Sequence, residues 1–236
     1  MPHFSPSPIT SPSPHATALP DPGALELCAA VRAWTYGWAI SRHTQAPVPG
    51  SGYFQVAVGK PGQTLRYVLP RLEHELVQRL VGEAGPGTWL KVCAPMESLS
   101  PLLPSHWTLH EPEFLMSTAL AGRPAPAITG YHLDTEQTGA LVFARLFADT
   151  GELAASGQAA IVGAFATFDQ IVTAETHRRK GLGRYIMAVL SQCAQDCGAT
   201  QGVLVATEAG AALYKTLGWS MVSPVTAASV LPDEDG

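Results

Sequence analysis

The chain has 236 residues and a formal net charge of −5, from 14 Lys and Arg against 19 Asp and Glu. With 46% hydrophobic and 14% charged residues, it has the composition of a folded globular protein and not of a disordered one. The mild acidic balance argues against a general nucleic-acid binder, whose affinity rests on neutralising phosphates with Lys and Arg.

Met1–Gly23 has no apolar core of the kind a signal peptide carries, and its repeated Ser-Pro steps (Ser5-Pro6-Ser7-Pro8 and Ser11-Pro12-Ser13-Pro14) read as an extended, disordered tail over 1–23. Leu25–Ser41 then has helical spacing, with Trp34 and Trp38 four apart. Tyr53–Val58 and Arg66–Leu69 read as strands. Leu72, Leu76, Val77 and Leu80 form the stripe of a helix over Arg71–Val81. Trp89–Cys93 is strand-like, Met96–Leu103 suits a short helix, and Trp107 begins another extended piece. The segment Ala121–Pro126 interrupts all periodicity and predicts a boundary between a region at 24–122 and a domain at 123–236.

Beyond it, Tyr131-His132-Leu133 is extended, and Ala140–Ala148 and Glu152–Ala160 flank the turn Asp149-Thr150-Gly151 as a hairpin. Val162–Val172 reads as a third, central strand. The uncharged run Leu153–Phe168 is too short to span a membrane and contains Ser, Gln, Thr and Gly. A helix is predicted from Gly181, with Leu182, Ile186, Val189, Cys193 and Cys197 as its stripe. Gly202–Ala206 is a buried strand, Thr207 a helix cap, Ala209–Leu217 a short helix and Gly218 its stop. A last strand and a solvated Asp233-Glu234-Asp235 end follow. The expectation is a cytoplasmic protein that binds neither membrane nor nucleic acid.

Cysteines at 28, 93, 193 and 197 have no zinc-site spacing, so Cys193 and Cys197 read as reduced thiols on a helix face. His106 and His110 alternate with Trp107 and Leu109 as in a strand and lack a third ligand nearby, so no metal site is expected.

The segment Arg178-Arg179-Lys180-Gly181-Leu182-Gly183-Arg184 holds four of the fourteen basic residues, at the point where a helix begins. Cations there oppose the helix macrodipole by ~0.3–1 kcal/mol each, and a glycine inside a helix costs ~1 kcal/mol relative to alanine. Both oddities vanish if a polyanion sits at this terminus, held by side-chain cations and free backbone N–H groups. A solvated basic turn would read the same way. The pattern is neither a P-loop nor the full dinucleotide fingerprint, since residue 186 is Ile.

With a strand before it and strand, helix and Leu217-Gly218-Trp219 after it, this segment resembles the GNAT superfamily of acyl-CoA-dependent N-acyltransferases. Arg178-x-x-Gly181-x-Gly183 is similar to that family's pyrophosphate loop, and Ala212-Leu213-Tyr214-Lys215-Thr216-Leu217-Gly218-Trp219 to its later helix–turn segment. The resemblance covers roughly Ile128–Val225. It implies an α+β fold, a mixed sheet flanked by helices. It also implies acetyl-CoA as acyl donor without a metal. Arg178, Arg179, Lys180, Gly181, Leu182, Gly183 and Arg184 would then cradle the pyrophosphate, and Ile171, Val172 and Thr173 would pair with the pantetheine arm. Tyr214 would protonate the departing thiolate, although it also suits an aromatic residue filling core. Thr207 and Gly210 stand where the family often has Asn and Ala, so that part of the cofactor wall differs.

The family usually places two helices between its first two strands, whereas here about six residues separate Tyr131-His132-Leu133 from the hairpin. The N-terminal region must then wall the acceptor site, or that site is unusually open. The N-terminal α/β region also echoes the order helix, strand, helix and Trp of the C-terminal half, which reads either as a degenerate partial repeat, non-catalytic because no Arg-x-x-Gly-x-Gly precedes it, or as an accidental similarity of two small α/β pieces. Asp169 and Glu175, near the ends of the central strand, are the candidate general bases, although each reads more readily as a structural or surface carboxylate. Residues 130–175 carry six acids and one base, which suits a cationic amine, small molecule or peptide. The expected activity is acetyl transfer to an amine, and a non-catalytic acyl-CoA-binding module is the alternative. The oligomeric state stays open, a dimer included.

Overall fold

The computed structural model describes residues 22–121, 125 and 127–231. The expected tail at 1–23, the boundary at Ala121–Pro126 and the acidic C-terminal end therefore lie wholly or partly outside the described residues. Helix α1 spans Pro22–Ser41, so helix already occupies the last two positions of the expected tail. It stops where His43 adopts a left-handed backbone (φ 53°) and the N–H groups of Arg42, His43 and Thr44 turn back onto the carbonyls of Trp38, Ile40 and Ala39. Strands β1 (Val48–Pro49), β2 (Phe54–Lys60) and β3 (Gln63–Leu69) follow, then α2 (His74–Gly82), β4 (Thr88–Val92) and α3 (Met96–Leu99) with a 3-10 turn to Leu102. The extended piece expected from Trp107 is two strands, β5 (Trp107–Leu109) and β6 (Glu113–Ala119), split ahead of Glu113 by Pro112.

The second half comprises β7 (Tyr131–Thr138), β8 (Leu141–Ala148), β9 (Leu153–Val162), β10 (Phe165–Thr173), α4 (Leu182–Asp196), β11 (Gln201–Thr207), α5 (Glu208–Thr216) and β12 (Ser220–Val230). The hairpin, Thr207 and Gly218 stand as read from the sequence: Thr207 Oγ1 accepts from Gly210 N at 3.3 Å, and Gly218 takes φ 88° after α5. The central strand starts at Phe165 and not at Val162, because Gly163, at φ 59°, turns the chain there. The stripe of α4 also differs. Its buried face is Leu182, Ile186, Met187, Val189, Leu190 and Ala194, while Cys193 is half-buried and Cys197 is exposed at the C-cap.

The twelve strands among the described residues form one mixed sheet in the order β1-β2-β3-β4-β12-β6-β11-β10-β9-β8-β7, with β5 also on β12. Among the described residues only β3/β4 and β10/β11 are parallel pairs. Alternate residues sort to two faces. Val68, Leu115, Val203 and Val225 join Trp34 and Trp38 of α1 in one core. On the other face Met116, Leu204, Ile186, Leu190 and Tyr214 form the core under α4 and α5, and Leu69, Leu90 and Val77 the core under α2. Among the described residues no helix is long and apolar enough to cross a membrane.

The halves share one element order: hairpin β2–β3, α2, β4, α3, β5/β6 in the first; hairpin β9–β10, α4, β11, α5, β12 in the second. Each half's last strand lodges in the other's sheet, β6 beside β11 and β12 beside β4. They differ at the parallel pair. The β3/β4 ladder continues from Leu65↔Thr88 to Leu69↔Val92. The β10/β11 ladder ends at Thr167↔Val203, and beyond it the two strands part. Before α2 stand Pro70-Arg71-Leu72-Glu73, with Glu73 at the N-cap and Glu75 in the first turn, charges that repel an anion from that helix end.

Candidate active site

The parting of β10 from β11 has a local cause. Gln170 takes a left-handed backbone (φ 53°), and the register with β9 shifts between Asp169 and Val172, so β10 bulges just past its last pair with β11. Asp169 fixes this bulge. Its Oδ1 accepts from the Gln170 amide at 2.9 Å, while Arg42 grips both oxygens, Nε to Oδ2 at 2.6 Å and Nη2 to Oδ1 at 2.9 Å; Ser41 Oγ adds a bond at 2.6 Å. Burial alone would raise this carboxyl, but the Arg42 and Ser41 hydrogen bonds, the Arg42 charge and the Gln170 amide outweigh it, and its pKa falls below the usual carboxylate value. Asp169 is therefore a poor proton acceptor. It joins α1 to the bulge instead of acting as a free base.

Helix α1 packs against the strand pair at the point of separation. Thr167 Oγ1 donates to Ala33 O at 3.0 Å, and a Cβ on Gly37 would stand 2.1 Å from Thr167 Oγ1. Only glycine allows this approach.

On the other face, the loop after β10 is pinned by buried His177, whose Nδ1 lies 3.0 Å from Tyr131 Oη and whose Nε2 lies 3.3 Å from Glu152 Oε2. Arg178, Arg179, Lys180 and Gly181 then run along the surface. Arg179 (φ 60°) and Gly181 (φ 79°) are both left-handed, a conformation that turns successive N–H groups to one side. No side chain caps α4; its first turn closes with Tyr185 N on Gly181 O at 3.0 Å, and buried Leu182 anchors it. A Cβ on Gly183 would meet Thr173 Oγ1 at 3.7 Å and Leu213 Cδ2 at 3.8 Å. Thr173, Gly183 and α5 thus come together across the gap between the strands. Ile171 turns its side chain inward over Gly157, while Val172 is 56% exposed. From Arg184 a groove of about 390 Å³ runs between Met187, Ala188 and Ser191 of α4 and Thr216–Trp219, floored by Thr118–Ala121. Thr207 stays exposed as the cap of α5.

Tyr214 projects from α5 into the core, 9% exposed, with its ring 5.9 Å from Trp219. Burial, and then the negative charge of Asp169, push its phenol up to about 12. Glu175 lies outside this arrangement, exposed and 3.8 Å from Arg178.

Sequence reading missed the polar cluster at the end of α1. Arg66 of β3, Lys91 of β4 and Glu113 of β6 lie on the α1 side of the sheet with Arg42 and Asp169. Lys91 is bonded to Glu113, and Lys91 and Arg66 lie 5.6 and 3.9 Å from the rings of Trp34 and Trp38. The available signal was a cation inside each of two apolar strands, Leu65-Arg66-Tyr67 and Leu90-Lys91-Val92.

Comparison with known proteins places this geometry. The acetyltransferase (GNAT) family matches residues 105–219, while no curated protein matches the chain. Among solved structures, a GCN5-related N-acetyltransferase from Kribbella flavida is 15% identical with a TM-score of 0.63, covering 92% of this chain and 98% of that one. A GCN5-related N-acetyltransferase from Sphaerobacter thermophilus is 12% identical at 0.56, covering 78% and 79%. A tandem GNAT protein from the clavulanic acid biosynthesis pathway, solved without AcCoA, is 12% identical at 0.50, covering 77% and 79%. At these identities the likeness is one of fold. Residues 105–219 of this chain match the acetyltransferase (GNAT) family, and the mixed sheet has the fold of its solved members.

Proposed function

We propose that the chain transfers an acetyl group from acetyl-CoA to an amine by direct attack, with Tyr214 as proton donor to the leaving thiolate. The observation that carries this reading is the uncapped N-terminus of α4, ringed by Arg178, Arg179, Lys180 and Arg184 and opening onto the gap between β10 and β11. A helix terminus with free N–H groups and surplus cations suits a pyrophosphate, and the groove beyond Arg184 offers room for the nucleotide end. Acetyl-CoA held there would supply an activated thioester.

The rest of the work falls to the chain. The edge of β10 from Ile171 to Thr173 has no strand partner on the β11 side among the described residues and can pair with the pantetheine arm, and its N–H groups can polarise the thioester carbonyl. With its phenol pushed up to about 12, Tyr214 remains protonated at neutral pH, and its hydroxyl can donate to sulfur. An amine of pKa ~10.4 is about 3.4 units too protonated at pH 7, a deficit of ~4.6 kcal/mol. With Asp169 committed to Arg42, that proton leaves through water at the open end of the gap. Helix α1 replaces the two helices missing between β7 and β8 as the wall on the acceptor side, and the β3/β4 half, without parting strands or a glycine loop, serves as a non-catalytic partner. Four free thiols suit the cytoplasm.

The loop assignment has a direct test. Acetyl-CoA at a hundredfold excess over its Kd stabilises by ~2.7 kcal/mol, roughly 5–11 °C in Tm for a chain of this size. A valine at 183 fits the apo structure, because its Cβ finds only ordinary contacts, but its methyls enter the gap toward Thr173 and Leu213. Gly183→Val should keep the apo Tm within a few degrees and abolish the rise. An undiminished rise in the variant would remove the loop from the binding site.

A further inference from the structure

Arg66 carries a positive charge that the described chain does not neutralise. It is 6% exposed. Its guanidinium lies 3.9 Å over the Trp38 ring and 6.0 Å from the Trp89 ring. With the Gln63 amide oriented so that its oxygen faces the guanidinium, Oε1 accepts from Arg66 Nε at 3.2 Å and from Nη2. These partners are neutral. Among the described residues no carboxylate pairs with Arg66, because the two nearby are already taken, Asp169 by Arg42 and Glu113 by Lys91. Three cations thus face two carboxylates. Burial lowers the Arg66 pKa to about 10, which leaves the group charged at neutral pH. An uncompensated buried charge is costly to a fold, and the planar fork of a guanidinium matches a carboxylate in two-point geometry.

The position of the cluster matters as much as its charge. Asp169 stands at the bulge where β10 leaves β11, and Glu113 is in register with Thr207, at the far end of β11. Asp169 and Glu113 therefore border the open end of the gap, on the face opposite the glycine loop, and Arg66 lies behind them on β3 against Trp38. Its rim is open to solvent, with the Arg42 and Glu113 side chains 35% and 25% exposed.

We propose that the acceptor is an amine that also bears a carboxylate, and that Arg66, held between Trp38 and Gln63, receives that carboxylate while the amine faces the gap. This rests on the transferase reading above and specifies its substrate class. Arg66 sets specificity by binding and takes no part in the acetyl transfer itself.

The test uses the full chain with acetyl-CoA and the proteinogenic amino acids set against the amines that lack only the carboxylate, such as L-phenylalanine against phenethylamine and L-lysine against 1,5-diaminopentane. The expected result is at least a hundredfold higher kcat/KM for the carboxylated member of a pair, expressed mainly in KM. Arg66→Gln should collapse that ratio to within a few-fold, and Arg66→Lys should restore part of it. Should the glutamine variant not fold, the wild-type ratio and the lysine variant decide the matter. Equal use of both members by the wild type, or an equal loss for both in Arg66→Gln, would overturn the inference and leave the transferase reading standing. Turnover of no amine at all would overturn both.

Discussion

Tyr214→Phe should lower kcat by about 10²–10⁴-fold, the usual scale for loss of one general acid, with Tm and the acetyl-CoA-induced rise in Tm nearly unchanged. The ring is what packs: it touches Trp219 within the core under α4 and α5, and phenylalanine keeps that contact. What disappears is the hydroxyl. A free thiol titrates near ~8.5, so a thiolate leaving at neutral pH gains from a positioned O–H. Because burial and Asp169 hold the phenol at about 12, the wild-type rate should rise with pH as the amine deprotonates and should show no fall from tyrosine ionisation until pH approaches that value. A loss of only a few-fold in Tyr214→Phe would mean that water protonates the thiolate. Failure to fold would make Tyr214 a core residue.

A fragment beginning at Pro124 should not fold, although it contains the glycine loop, the gap and Tyr214. It lacks β6, which lies between β11 and β12 and pairs with the first along Glu113–Ala119 and with the second along Glu113–Ser117. Without β4, the Thr226–Ser229 stretch of β12 also loses its partner. Removing α1 bares Val203 and Val225, leaves Thr167 Oγ1 without its acceptor, and strips Asp169 of Arg42 and Ser41. Unpaired strand edges and an uncovered apolar face lead to aggregation. The full chain should unfold in one cooperative transition, and the fragment should be insoluble or lack a transition. A soluble fragment with full acetyl transfer would show that the first 123 residues are dispensable and that α1 does not wall the site.

What could be read from the sequence was what neighbouring residues encode. The β8–β9 hairpin was legible because alternation and Asp149-Thr150-Gly151 agree, and the loop of α4 because its cations and glycines lie within seven residues. Thr207 and Gly218 were legible as caps for the same reason. β6 was not legible as a strand of its own, since Leu115 and Met116 are buried on opposite faces while Phe114 and Ser117 beside them are half-buried, which erases alternation. The role of Asp169 was out of reach because Arg42, its partner, lies 127 residues away. Both carboxylates proposed as bases came from their places at the ends of one strand; the fold ties Asp169 to Arg42 and Ser41 and leaves Glu175 exposed beside Arg178. Arg66 and Lys91 were visible as cations inside apolar strands, but nothing local showed that α1 would gather them at the mouth of the gap.

Whether the parted strands form a transferase site or only a binding site is decided most directly by acetyl-CoA turnover with a mixed panel of amines, following free CoA thiol and acetylated amine together. The expected result is amine-dependent thiol release, matched one for one by acetylated product and lost in Tyr214→Phe. A rise in Tm with acetyl-CoA but no amine-dependent release from any member of the panel would contradict it and make the chain a non-catalytic acyl-CoA-binding module.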